Sequence, residues 1–338
     1  REVDFPVWSS AWSVTTSNCS PAWSRPAWPS GEPVTPPARV LVTGVNGFVG
    51  GHLVRELRAH DCEVVGAGLG TSDEERAQLL DGYHDHDLTE SWPDAAGVTH
   101  VVHLAALSAV GPSFDAPQAY LTTNSAMVVN LGEHQLAAGV KPRTLIVSSG
   151  AVYDPDQSLP IAEEGALRLG SPYAVSKVLV EHLADYYNER GLDWVIARPF
   201  NHLGPGQGRG FLLPDLHAGI RSAQSGGGAL EVGDLTTRRD YSDVRDVVRA
   251  YRLLLEADAL RHRRYNVCSG QDASGEEMLT ELRRHGVGAG VAVRVDRARL
   301  RPNDPRRIVG DYSRLAAETG WEPQISVEET VRDFLAEE

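Results

Sequence analysis

From Arg39 onward, short apolar runs alternate with longer segments, separated by polar turns rich in glycine and proline. Val40-Leu41-Val42 reads as a first strand, and Gly51 to His60 reads as the helix that follows it. The alternation then continues. Strands are expected over 62–67, 84–88, 98–104, 144–149 and 193–198, the last stopped by Pro199. Helices are expected over 74–80, 117–138 and 171–190. Strand and helix segments repeating at these lengths predict an α/β fold with a mostly parallel, doubly wound sheet. Ligands of such sheets bind beyond the carboxyl ends of the strands, where Thr43, Asp87, Ala105, Ser149 and Pro199 fall.

After Pro199 the pattern becomes interrupted. Gly204 to Gly210 is a loop, a helix is expected over 213–221, and Ser225 to Gly228 is another loop. A short strand over 230–232, a helix over 244–256 and a strand over 265–268 follow. This predicts a smaller, mixed α/β substrate-binding region over residues 200–338, with pieces that return to the sheet formed by residues 38–199. Residues 1–37 break both periods: Trp8, Trp12, Trp23 and Trp28 sit among Ser, Pro and Thr. They are expected to form an atypical or disordered leader, with no basic start or apolar run of a signal peptide.

Charge narrows the range of functions. The 338 residues carry a formal net charge of -14, which argues against nucleic acid as a partner, because phosphate-backbone contacts need a basic surface. Small phosphate-bearing ligands remain open, since they need only local arginines. Cys19, Cys62 and Cys268 have neither metal-ligand spacing nor disulfide pairing, so they are expected to be reduced and structural, in a cytoplasmic protein with no metal site. No run approaches the roughly 18 apolar residues of a membrane span.

The chemistry begins at Gly44-Val45-Asn46-Gly47-Phe48-Val49-Gly50, where a strand turns into a helix. Glycines at this spacing allow a tight turn and a close approach of the backbone to a pyrophosphate at the helix N-terminus. Tyr173 and Lys177 lie four apart on one helix face, and Ser149 ends a preceding strand. A neighbouring ammonium and a pyridinium favour phenolate, so the Tyr173 pKa is expected to move toward the working range. Ser149 is placed to hold the oxygen that Tyr173 protonates. Together these residues describe a redox site.

With His103-Leu104-Ala105-Ala106, Asp87-Leu88, Asn124, Ser148-Ser149 and Arg198-Pro199-Phe200-Asn201, the set resembles the extended short-chain dehydrogenase/reductase family, in its nucleotide-sugar branch. The resemblance spans roughly residues 38–336. It implies a Rossmann-type core, a nicotinamide cofactor and Ser149, Tyr173 and Lys177 as catalytic residues. It also implies that Asn124 helps to hold the active-site helix. Cofactor contacts fall to Gly44, Asn46, Gly47, Phe48, Val49, Gly50, Asp87, Leu88, Leu104, Ala105, Ala106 and Pro199, with Asn124, Tyr173 and Lys177. Members of the branch usually pair through two long helices, here those around 117–138 and 172–190, which implies a homodimer.

Dehydratases of the branch carry a glutamate two residues before a tyrosine at the end of strand five. Here Ser149-Gly150-Ala151-Val152-Tyr153 puts Ala151 in that place, and a methyl group is neither acid nor base. The runs Arg198 to Gln207, Tyr265 to Gly270 and Arg299 to Trp321 are similar to GDP-4-keto-6-deoxy-D-mannose reductases, which form GDP-D-rhamnose. Reduction of the C4 keto group of a nucleotide-linked 4-keto-6-deoxy sugar, with GDP as the expected nucleotide, is therefore implied. A 4-epimerase with tightly bound NAD is the alternative. The resemblance sets Arg239 and Arg301 on the diphosphate, Asn201 on a phosphate or ribose-side oxygen, and Arg221 near the base. It puts Ser108, Ser149, Leu213 and Val232 along the sugar nucleotide, and has His202 shape the loop or donate a hydrogen bond. Cofactor choice is open between NAD(H) and NADP(H), with a lean to NADPH. Gly66 to Gly70 supplies neither the acid that binds the ribose of NAD nor an arginine for the NADP phosphate.

Overall fold

The computed structural model describes residues 37–300 and 304–337. The four leader tryptophans, Cys19 and Arg301 lie outside the described residues. The first half runs β1 (Arg39–Thr43), α1 (Phe48–Ala59), β2 (Glu63–Gly68), α2 (Glu74–Ala77), β3 (Gly82–Asp85), β4 (His100–His103), α3 (Val110–Ser113), α4 (Pro117–Ala138), β5 (Arg143–Val147), α5 (Pro172–Glu189) and β6 (Trp194–Pro199). The second runs β7 (Asn201–Leu203), α6 (Leu212–Gly226), β8 (Leu230–Val232), β9 (Arg238–Asp243), α7 (Val244–Glu256), β10 (Arg264–Val267), β11 (Asp272–Ser274), α8 (Gly275–Arg284), β12 (Val293–Val295), β13 (Arg307–Ile308), α9 (Ser313–Thr319) and α10 (Val327–Glu337).

Seven parallel strands form the main sheet in the order β10-β6-β5-β4-β1-β2-β3. Chain order reverses between β1 and β4, so the crevice outside Thr43 and His103 is the switch point where such sheets bind ligands. Strands such as Trp194–Pro199 are buried at every position, as expected for a sheet covered on both faces. Leu53 and Leu57 of α1 and Tyr251 and Leu254 of α7 cover one face. Met127 and Leu131 of α4 and Val180 and Tyr187 of α5 cover the other. Helix α5 starts cleanly: the Ser171 hydroxyl accepts from Ala174 N–H at 3.1 Å, and Pro172 occupies the first turn, where its missing N–H costs nothing.

The smaller region has its own core of Leu213, Leu216, Ile220, Leu230, Val232, Met278, Leu282 and Phe334. Its sheets are short: β11-β9-β13 with β7 against β9, and β12 beside β8. Two segments return to the main body, β10 as the edge strand beside β6 and α7 beside α1. Some boundaries differ from expectation. Strand β3 ends at Asp85 because Asp87 instead closes a turn, accepting from the Thr89 N–H at 2.9 Å and the Thr89 hydroxyl at 2.7 Å. Strand β6 includes Pro199 in register with Val267, a place the ring tolerates because the ladder stops there. Helix α6 continues beyond Arg221 to Gly226, where Gly227 terminates it.

Candidate active site

The switch-point crevice is built from backbone. Gly44 has φ +67°, and a Cβ added there would stand 2.8 Å from Ala105 N. At Gly50 a Cβ would stand 2.5 Å from Gly44 O. The two glycines let the β1–α1 turn lie directly on the chain leaving β4. Helix α1 then starts at Phe48, with Gly47 before it offering no side-chain cap, so its first N–H groups are left for an anion. Asn46 Oδ1 is buried without a partner. A dinucleotide fits such a cradle. Beneath it, Thr43 Oγ1 lies 2.9 Å from His103 Nδ1 and accepts from Ala105 N–H at 3.2 Å. Burial, helped by Lys177, pushes the His103 pKa down to about 3, so this imidazole is neutral.

Ser149 follows β5, and α5 carries Tyr173 and Lys177 past it. The Ser149 hydroxyl hydrogen-bonds the Tyr173 phenol and accepts from Ala151 N–H at 3.1 Å. Tyr173 is buried, packed edge-on against Tyr120 with ring centroids 6.4 Å apart. Burial raises its pKa, and the bond from Ser149 only partly offsets this. The spacing argument expected the opposite direction. Lys177 Nζ stands 5.9 Å from the Tyr173 ring centroid and donates to Val147 O at 2.8 Å, so burial dominates. Lys177 is itself held at about 8 by burial, with Glu181 pulling upward. Asn124 ties this cluster together: its amide donates to Ser176 Oγ at 3.0 Å, beside Lys177, while its Oδ1 accepts from Leu107 N–H at 2.8 Å. Leu104, Ala105 and Ala106 follow β4 along this crevice, and Ser108 is exposed just beyond Leu107. Leu88 is buried in the core.

The sugar-side candidates are spread more widely. Asn201 is exposed on β7. His202 stacks on Phe48, centroids 6.3 Å apart and planes within 7°, and its Nδ1 lies 3.0 Å from Phe200 O. It therefore lies against the glycine turn. Leu213 and Val232 are buried in the smaller core. Arg239 has its guanidinium engaged by Asp304 Oδ1 at 2.6 Å, Pro305 O at 2.7 Å and Arg238 O at 2.8 Å. Arg221 lines a surface groove with Arg209, His285 and Arg332, so the structure groups it with those residues and not with Leu213 and Val232.

One buried polar network was given no role by sequence reasoning. Glu181, one turn beyond Lys177, accepts from Ser148 Oγ at 2.5 Å and pairs twice with Arg198, at 2.8 and 2.6 Å. Burial opposes the Glu181 charge, yet these partners hold its carboxyl below the ordinary range. Arg198 also donates to Tyr153 Oη at 2.8 Å, and Tyr153 donates to Asn266 Oδ1 at 2.7 Å. The available signal was a glutamate at i+4 from Lys177 beside a lone arginine in an apolar strand.

With fold and site described, the chain's family is defined. Residues 40–268 match the NAD dependent epimerase/dehydratase family, and the chain belongs to it. It is 36% identical over 313 residues to the GDP-6-deoxy-D-mannose reductase of Pseudomonas aeruginosa, covering 88% of this chain and 96% of that protein. It is 32% identical over 314 residues to a UDP-glucose 4-epimerase of Mycolicibacterium smegmatis, covering 87% and 96%. Among solved structures, RMD from Pseudomonas aeruginosa complexed with NADPH superposes with a TM-score of 0.75 at 34% identity, over 89% of this chain and 98% of that one. Among the described residues no helix is long and apolar enough to cross a membrane, and Cys62 and Cys268 are buried free thiols.

Proposed function

We propose that the chain reduces the C4 keto group of a nucleotide-linked 4-keto-6-deoxy sugar, namely GDP-4-keto-6-deoxy-D-mannose, to GDP-D-rhamnose. The observation that carries this reading is a complete Ser149–Tyr173–Lys177 set beside a methyl group at Ala151. The site holds a proton donor for an alkoxide and no carboxylate at the place dehydration requires. The likeness to the Pseudomonas reductase supports GDP-linked substrate and NADPH.

The nicotinamide cofactor held by the Gly44–Gly50 turn would supply the hydride. Tyr173 enters as a protonated phenol, which its raised pKa guarantees at neutral pH, and gives its proton to the C4 oxygen. Ser149 accepts from Ala151 N–H, and its one O–H, hydrogen-bonded to Tyr173 in this structure, turns to the same oxygen once the sugar is bound. That oxygen then has two donors where negative charge develops. Lys177, with one N–H bound to Val147 O, stabilises the phenolate left behind. Asn124 positions α5 through Ser176. Arg239 and Arg301 grip the diphosphate, Arg239 by exchanging Asp304 for phosphate oxygens. Ser108, Asn201, Leu213 and Val232 border the sugar nucleotide. The enzyme acts in the cytoplasm as a homodimer through α4 and α5, where Leu179 and Tyr186 are exposed. Residues 38–199 hold the cofactor and 200–338 mainly the sugar nucleotide.

The test is to incubate the protein with GDP-4-keto-6-deoxymannose and NADPH or NADH, following cofactor absorbance and sugar NMR. Stoichiometric cofactor oxidation with a 4-hydroxy-6-deoxy product is expected. Interconversion of an intact nucleotide sugar on copurified NAD, without net cofactor oxidation, would replace the reductase by an epimerase.

A further inference from the structure

The groove that holds Arg221 shares no lining residue with the glycine turn or with the Ser149–Tyr173–Lys177 set, and its chemistry is different. It encloses about 730 Å³, within the range of small-molecule sites. Arg209 reaches it from the loop before α6, Arg221 from α6 and Arg332 from α10, while His285 follows α8. Among the described residues no carboxylate lines it. That is a local reversal in a chain with 46 acidic residues against 32 lysines and arginines.

The carboxylates that reach these cations from outside are shared. Asp215, 3.8 Å from Arg209, accepts from Gly210 N–H at 3.0 Å. Asp333, 2.9 Å from Arg332, also pairs with Arg245 at 2.8 Å. Glu281, 3.4 Å from His285, also pairs with Arg284 at 2.9 Å. The Arg221 guanidinium is exposed and makes no ion pair with a described residue. One wall is bare backbone. Gly288 has φ +77°, and a Cβ added there would stand 2.8 Å from Ile220 Cγ2. The turn after α8 therefore lies directly on α6 next to Arg221, and this brings His285 and Val287 to the groove.

Cations facing one cavity from three separate elements repel one another until an anion joins them. Guanidinium forks match phosphate oxygens two at a time, and three forks suit linked phosphates better than a single one. Val287 and Leu335 add an apolar side to the same groove.

We propose that this groove is a second, non-catalytic site for a small molecule bearing a diphosphate, with Arg209, Arg221 and Arg332 on the phosphate oxygens. Such a ligand binds without entering the reaction crevice. A free nucleoside diphosphate and inorganic pyrophosphate share the chemistry that the arginines recognise, and a nucleoside would lie on Val287 and Leu335.

The test is calorimetric titration of GDP, pyrophosphate and sulfate, at about physiological ionic strength, into the full chain as wild type, Arg221→Ser, Arg332→Ser and Arg239→Ala. A GDP site that weakens about ten- to a hundredfold in Arg221→Ser and Arg332→Ser, for one lost charge-assisted contact, and persists in Arg239→Ala is expected. Arg332 is 56% exposed, so its variant should melt as the wild type does and decides the matter if Arg221→Ser does not. Pyrophosphate binding the groove as tightly as GDP would assign recognition to the diphosphate alone; weaker pyrophosphate would add the nucleoside. Sulfate binding equally well would reduce the groove to general attraction of anions and overturn the proposal. So would GDP binding that neither groove variant changes. Loss of GDP binding in Arg239→Ala alone would support the diphosphate grip proposed for the reaction crevice and remove the second site.

Discussion

Ser149 follows β5, Tyr173 and Lys177 lie on the buried face of α5, and each has a partner within the main body. Asn201 and Arg239 are carried by short strands of the smaller region, and Arg221 by an exposed helix face. The reacting end is held by burial and by the Ser148–Glu181–Arg198–Tyr153 chain, whose ion pair is only 3% exposed on either side chain. The proposed gripping end is held by a partly buried ion pair, Arg239 with Asp304, whose side chains are 13% and 25% exposed. Proton transfer demands fixed geometry, and the buried face of a long helix supplies it. On the proposed reading, recognition of a diphosphate requires an arginine that can exchange partners, and Arg239 on the short strand β9 has such a partner in Asp304. The contrast implies that damage at the first end appears as lost turnover or lost stability, and damage at the second as lost affinity.

The sharpest break removes the proton. Tyr173→Phe should reduce kcat by about a thousandfold, within the usual range for general acid catalysis, while thermal melting and NADPH binding stay close to wild type. A variant retaining a tenth of the activity would take the proton donor away from Tyr173. Next is Glu181→Leu, which leaves Arg198 charged and buried and should cost about 3 kcal/mol or more in denaturant unfolding. An unchanged unfolding midpoint would mean that the network adds nothing to the catalytic end. Arg239→Ala should raise KM for the sugar nucleotide about tenfold with kcat and stability nearly unchanged. A fall in kcat without a rise in KM would erase the division between the two ends.

The smallest effect concerns pH. Lys177 is held at about 8, well below its ordinary 10.5, because burial disfavours the ammonium. Between those values the unfolded chain binds more protons than the folded one, so this group makes stability rise with pH across the window. The same deprotonation removes the charge that supports the Tyr173 phenolate. The expected outcome is a severalfold fall in kcat/KM as pH passes 8, with no parallel loss of melting temperature from this group. Activity and stability declining together would assign the limb to unfolding.

Much of the main sheet was legible because its elements are long and locally consistent. The α4 boundaries, Pro117 and Ala138, follow from a proline start and an unbroken helical run. The glycine turn, Ser149, Tyr173 and Lys177 were legible because each depends on residue type and short spacing. What escaped depends on contacts distant in sequence. A glutamate four residues past Lys177 and a lone arginine in an apolar strand hint at a buried pair, but their spacing does not say that Arg198 and Ser148 converge on Glu181. Tyr173's raised pKa likewise follows from burial, which no spacing reveals. In the smaller region short strands such as β7 carry too few residues to show a period, and their pairing with β9 comes from the tertiary fold.

Ala151 is exposed, in a single turn of 3-10 helix, with its N–H directed to Ser149. A longer side chain there has solvent to occupy and no packing to disrupt. On the reading proposed above, the position that separates returning a hydride from expelling water is one where a carboxylate can be installed at little cost in stability.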